Sequence, residues 1–73
     1  MWVRTQDRER LVKCVSFEIN GETPTIFGYT KSYGIALGKY STEKKALKVL
    51  DSIQYRILCE GIVFQMPQDD EVF

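Results

Sequence analysis

Between Ser41 and Gly61, apolar residues recur at Ala46, Val49, Leu50, Ile53 and Ile57. This is the spacing that gathers side chains on one face of an α-helix. The segments on either side carry the two-residue period of strands instead, so one amphipathic helix has to bury its stripe against β-structure. The class expected is α+β. Ser41 is placed to cap a helix over residues 42–59, and Gly61 to stop it. A thinner stripe of Leu47, Gln54 and Leu58 runs to one side as a core edge or a contact surface.

Four strands are expected before the helix. Residues 1–5 alternate weakly and Gln6-Asp7-Arg8-Glu9 forms a polar turn. Residues 11–20 then place Leu11, Val15, Phe17 and Ile19 on one parity, with Cys14, Ser16 and Glu18 on the other. Asn20-Gly21 opens a polar connection through Pro24, and residues 25–30 and 33–40 form two more strands around Lys31-Ser32. Residues 62–66 make a last short strand before Pro67. If the helix returns the chain along the sheet, this strand lies beside the first and antiparallel to it. The expected architecture is a curled, wholly antiparallel sheet in the order 5-1-2-3-4, a meander of four strands plus the final one, with the helix on one face. Residues 1–67 form the single domain, and residues 68–73 an acidic tail.

Several motifs carry a resemblance across nearly the whole chain: the opening Met1-Trp2-Val3-Arg4-Thr5-Gln6-Asp7, Leu37-Gly38-Lys39-Tyr40-Ser41, the helix core Ala46-Leu47-Lys48-Val49-Leu50-Asp51-Ser52-Ile53, and the closing Phe64-Gln65-Met66-Pro67. Together they resemble a family of small uncharacterised proteins of Gram-positive bacteria and their phages. Its members begin with MW(I/V)R(S/T)QD and carry an LGxY(S/T) strand end and an AxxVLxxI helix. The resemblance implies a compact fold and a mobile-element setting, and supplies no mechanism.

A chain of 73 residues builds one small core, a size at which a partner chain often adds stability. A homodimer is expected on that ground. Ten basic and ten acidic residues cancel, so no general attraction to a polyanion follows. No apolar run is long enough to span a bilayer, and the start lacks signal-peptide order, which leads to an expected cytoplasmic location. Cys14 and Cys59 form no metal or redox motif and are expected to be reduced and packed as small hydrophobes.

The absence of histidine removes the commonest general base, and the five glycines make no phosphate-binding loop. No enzyme activity, cofactor or metal is expected; catalysis by the scattered acidic residues is the weakest alternative. The leading expectation is a non-enzymatic protein that occupies a protein partner and modulates host machinery. Candidate interface residues are Trp2, Phe27, Tyr29, Tyr40, Leu47 and Leu58, because one helix covers only one face of a sheet and aromatic residues favour interfaces. The alternative is a nucleic-acid or nucleotide binder. It would use Lys44, Lys45 and Lys48 at the helix start, where cations oppose the helix dipole and an incoming anion would relieve them, together with the aromatic sheet face. Val72 and Phe73, after three acidic residues, suit docking in a partner's groove or folding back over that basic helix start.

Overall fold

Six strands form two three-stranded sheets in the computed structural model, which describes residues 1–73. In chain order they are β1 (Trp2–Arg4), β2 (Leu11–Lys13), β3 (Ser16–Asn20), β4 (Thr25–Tyr29), β5 (Gly34–Lys39), then helix α1 (Glu43–Leu58) and β6 (Val63–Gln65). One sheet has the order β2-β1-β6 and the other β3-β4-β5. The fold is α+β, with Ala46, Val49 and Ile53 of the helix stripe buried.

The single strand expected over residues 11–20 is two strands in different sheets. Val12 and Cys14 point inward before the break and Phe17 and Ile19 after it, so the buried parity changes from even to odd and leaves Leu11 and Val15 exposed. A one-residue phase change turns every later side chain over. Here it carries the chain from one sheet into the next. The Cys14 N–H donates to the Met1 carbonyl at 2.8 Å and the Val15 N–H to the Tyr29 carbonyl at 2.7 Å, so adjacent residues belong to different ladders.

This bend also corrects the expected direction of the last strand. β6 does lie beside β1, but the pair is parallel, with Trp2 opposite Val63 and Arg4 opposite Gln65. The antiparallel expectation counted directions along one continuous meander, and the bend at Cys14 and Val15 breaks that count.

A second seam is closed by Gln6. Its N–H donates to the Leu37 carbonyl at 2.8 Å. Its side-chain amide then behaves like one more strand residue, with Oε1 accepting from the Lys39 N–H and Nε2 donating to the Lys39 carbonyl, each at 3.0 Å. Nε2 also reaches the Pro67 carbonyl at 3.2 Å.

Val12, Val3 and Phe64 align across β2-β1-β6 to form its inner row. They meet Ile26 and Leu37 of the other sheet and Ala46, Val49 and Ile53 of α1 in one core. Gly28 is buried where a Cβ would come within 2.6 Å of Cys14 Sγ and 2.8 Å of Leu37 Cδ1, so only glycine lets the second sheet close on these residues.

Thr42, rather than Ser41, caps α1: its Oγ1 accepts from the Lys45 N–H at 3.1 Å. At the other end Glu60 takes the left-handed conformation at φ 59°. The Glu60 N–H then bonds the Ile57 carbonyl at 3.0 Å and the Gly61 N–H the Arg56 carbonyl at 2.8 Å, which stops the helix one residue before the glycine expected to do so. Of the expected stripe, Ala46, Val49 and Ile53 are buried, Leu50 is half-buried, and Ile57 is 51% exposed beyond the sheet.

Residues 68–73, the expected acidic tail, fold back against the domain. They make a 3₁₀ turn at Asp69–Glu71, and Val72 joins the core. The radius of gyration, 11.1 Å, matches the roughly 11 Å of a compact chain this long. No helix is long and apolar enough to cross a membrane.

Candidate interaction surfaces

The outward residues of β2-β1-β6 form a two-row grid. Lys13, Trp2 and Val63 align in one row, and Leu11, Arg4 and Gln65 in the other. All six are exposed, with Trp2 at 39% and Leu11 at 48%. The alternation that buries Val12, Val3 and Phe64 forces these neighbours outward. An indole and two aliphatic side chains therefore stand among two cations and an amide, with no carboxylate in the grid. Ile62, 75% exposed, adjoins it, and its carbonyl accepts from the Trp2 N–H at 3.3 Å.

The hairpin beyond the Arg4 end is tightly tied. Thr5 Oγ1 donates to Asp7 Oδ1 at 2.6 Å, and the Glu9 N–H donates to the same oxygen at 3.0 Å. These hydrogen bonds hold the Asp7 carboxyl below the usual aspartate range, the Thr5 hydroxyl first among them.

The expected aromatic face divides in three. Trp2 is open. Phe27 and Tyr29 share one face of β4 but are half-buried. The Tyr29 ring lies over Gly34, where a Cβ would come within 2.7 Å of it, and its hydroxyl donates to Glu18 Oε2 at 3.2 Å. Burial, then the Glu18 charge, raises the Tyr29 phenol. Tyr40 is not on an open face: it is 2% exposed, and its hydroxyl donates to the Pro67 carbonyl at 2.8 Å. Burial first, then Asp69 and Glu71, drives its phenol far above the ordinary tyrosine value. Sequence parity put Tyr40 on a strand, but β5 ends at Lys39 and the ring turns inward.

On α1, Leu47 is 48% exposed and Leu58 77%. The expected stripe is therefore open, widened by Ile57 and half-buried Leu50. An open groove of about 900 Å³ runs along the opposite flank of the helix, lined by Tyr55, Arg56, Cys59, Gln65 and Phe73 among others.

The basic helix start already has an intramolecular anion. Asp69 Oδ1 accepts from the Ser41 N–H at 2.7 Å, while Oδ2 lies 3.5 Å from Lys45 Nζ. Lys45 Nζ also donates to the Asp69 carbonyl at 3.1 Å, and Lys48 Nζ to the Phe73 carbonyl. The Ser41 hydrogen bond, with Lys45 assisting, holds the Asp69 carboxyl below its ordinary range. Of the three candidate anion-binding lysines, only Lys44 has no such bond to the C-terminal segment. Cys14 is buried, with its thiol pushed up by that burial, Cys59 is exposed, and both are free.

No family model, curated protein or solved structure matches this chain.

Proposed function

We propose that this protein is a non-enzymatic binding module that acts by occupying a partner protein, in the phage or mobile-element setting its sequence resemblance implies. The observation that carries the reading is the exposed grid of Trp2, Leu11 and Val63 with Arg4, Lys13 and Gln65. Large apolar side chains grouped on one rigid sheet face are what protein interfaces use, with aromatic and arginine anchors contributing most. The groups whose protonation the fold perturbs, among them Asp7, Tyr40 and Asp69, are engaged in structural hydrogen bonds. That favours binding over catalysis by acidic residues. The exposed free thiol of Cys59 suits a reducing compartment, which supports a cytoplasmic site of action.

The nucleic-acid alternative is less favoured because the lysines it relies on are largely engaged: Lys45 is held by Asp69 and Lys48 by the Phe73 carbonyl. Base stacking would also have a single open ring on the grid. Self-association has a separate support in the open flank of Leu47, Ile57 and Leu58 on α1, which a second copy would cover and so supplement a small core. Sedimentation at micromolar concentration is expected to give about twice the 8.5 kDa chain mass, and Leu58→Glu a monomer. A monomeric native protein removes this part of the reading.

Binding is tested by affinity capture from a Gram-positive cytoplasmic extract, with the native chain and Trp2→Ala run in parallel. The expected result is a protein retained by the native chain and lost from the variant while circular dichroism reports an unchanged fold. An identical captured set overturns the assignment of the grid as the binding face.

A further inference from the structure

The grid on β2-β1-β6 has a chemistry that narrows its occupant. We infer that it docks an acidic protein segment bearing an apolar or aromatic anchor, with the anchor against Trp2, Leu11 and Val63 and the carboxylates against Arg4 and Lys13. This inference rests on the binding reading above and specifies the partner.

Charge complementarity carries the argument. Register places Lys13 directly beside Trp2 and Arg4 beside Leu11, so each cation adjoins an apolar side chain. The hairpin loop at the Arg4 end adds Arg8 and Arg10 against Asp7 and Glu9. Asp7 and Glu9 offset two of the four cations Arg4, Arg8, Arg10 and Lys13, which leaves this edge with a surplus of positive charge. Arg4 Nη1 reaches only the Arg8 carbonyl, at 3.5 Å, and keeps donors for a carboxylate.

Two other occupants fit less well. A second copy meeting this face across a two-fold axis would set the same cationic patch against itself, because such an interface is self-complementary. A single-stranded nucleic acid needs a run of stacking rings along a basic track, whereas the grid offers one ring between aliphatic neighbours. Leu11 and Val63 gain from apolar contact and have nothing to stack.

Trp2 is the only tryptophan of the chain, so its fluorescence reports this face alone. The probes are a random glutamate-tyrosine copolymer, poly-glutamate and oligo-deoxythymidylate, each titrated into the full chain with excitation selective for tryptophan. The expected result is saturable quenching or a blue shift with the glutamate-tyrosine copolymer, weaker binding of poly-glutamate, and loss of both as salt rises. Arg4→Glu with Lys13→Glu keeps the reporter and is expected to weaken copolymer binding about tenfold or more, since like charges then face the probe. Lys31→Glu with Lys39→Glu, two exposed lysines outside both the grid and the helix start, makes the same net-charge change off the face and is expected to bind as the native chain does.

Equal loss in both double variants, or tighter binding of oligo-deoxythymidylate than of the copolymer, overturns the inference. So does a captured cellular partner that is lost with Trp2→Ala but retained with Arg4→Glu and Lys13→Glu; that result leaves the binding reading standing and removes only the acidic partner. A cellular partner unaffected by Trp2→Ala removes the grid as the binding face and the acidic-partner inference with it.

Discussion

The sheets β2-β1-β6 and β3-β4-β5 are equally wide, yet their outward faces differ. In β3-β4-β5 the rings cover the sheet itself: Tyr29 lies over Gly34 and ties its hydroxyl to Glu18, and Phe27 is half-buried beside it. In β2-β1-β6 all six outward residues are exposed, including an indole. Both sheets contribute to the same core, so the difference is not one of stability. The protein covers Phe27 and Tyr29 and leaves Trp2 open among apolar neighbours, which makes the β2-β1-β6 face the one to test for function.

The sharpest way to break this comparison is to exchange inward and outward positions. Ile26→Ala, at a residue with no exposed surface, is expected to cost about 2–5 kcal/mol, which approaches the whole stability of a domain this small. Trp2→Ala is expected to cost about 1–2 kcal/mol, the partial burial of one ring. Urea melts of the two variants check this, and equal losses would make Trp2 a structural residue.

Next in size is Gly28→Ala, expected to lose about 1–3 kcal/mol because the new methyl meets Cys14 Sγ and Leu37 Cδ1. An unchanged midpoint would mean that β3-β4-β5 is free to shift away from its neighbour. Gln6→Ala probes the seam between the sheets. Deleting an amide that holds Lys39 at two points and Pro67 at a third is expected to cost about 1–2 kcal/mol. Hydrogen exchange is expected to quicken along β5 and less so along β3.

The smallest effect concerns the clip at the helix start. The folded state lowers the Asp69 carboxyl, so its stabilisation is complete above the ordinary aspartate range and fades as pH falls through the lower folded value. Asp69→Asn is therefore expected to be less stable than the native chain at neutral pH, with the gap closing below about pH 4. A gap that persists in acid would assign the loss to something other than the carboxylate.

How much of this was legible depended on whether a signal was periodic. The α1 stripe is periodic, and the helix lies within a residue of its expected ends. The break at Cys14 and Val15 has no glycine or proline to announce it, and alternation continues undisturbed on both sides, so the strand read as one. Gln6 in a polar turn carries no sign that its amide completes a ladder. The exposure of Trp2, Leu47 and Leu58 was legible because their surplus over one helix face was countable. The alignment of Arg4 and Lys13 around Trp2 was not, since it exists only in the pairing register. Tyr40 was misplaced because parity along a strand says nothing about the point at which the chain leaves it.

The parallel pairing of β1 with β6 has a consequence for the order of assembly. β1 is the middle strand of its sheet, and one of its two neighbours lies at the far end of the chain. Contacts that span so much sequence form slowly, whereas the hairpins β3-β4 and β4-β5 close locally. During synthesis Trp2 and Val3 therefore wait with one strand edge unpaired, an arrangement that exposes a nascent chain to wrong partners. Pulse-labelled hydrogen exchange is expected to find the β4 amides protected before those of β1, and simultaneous protection would show that the bend at Cys14 and Val15 couples both sheets from the start.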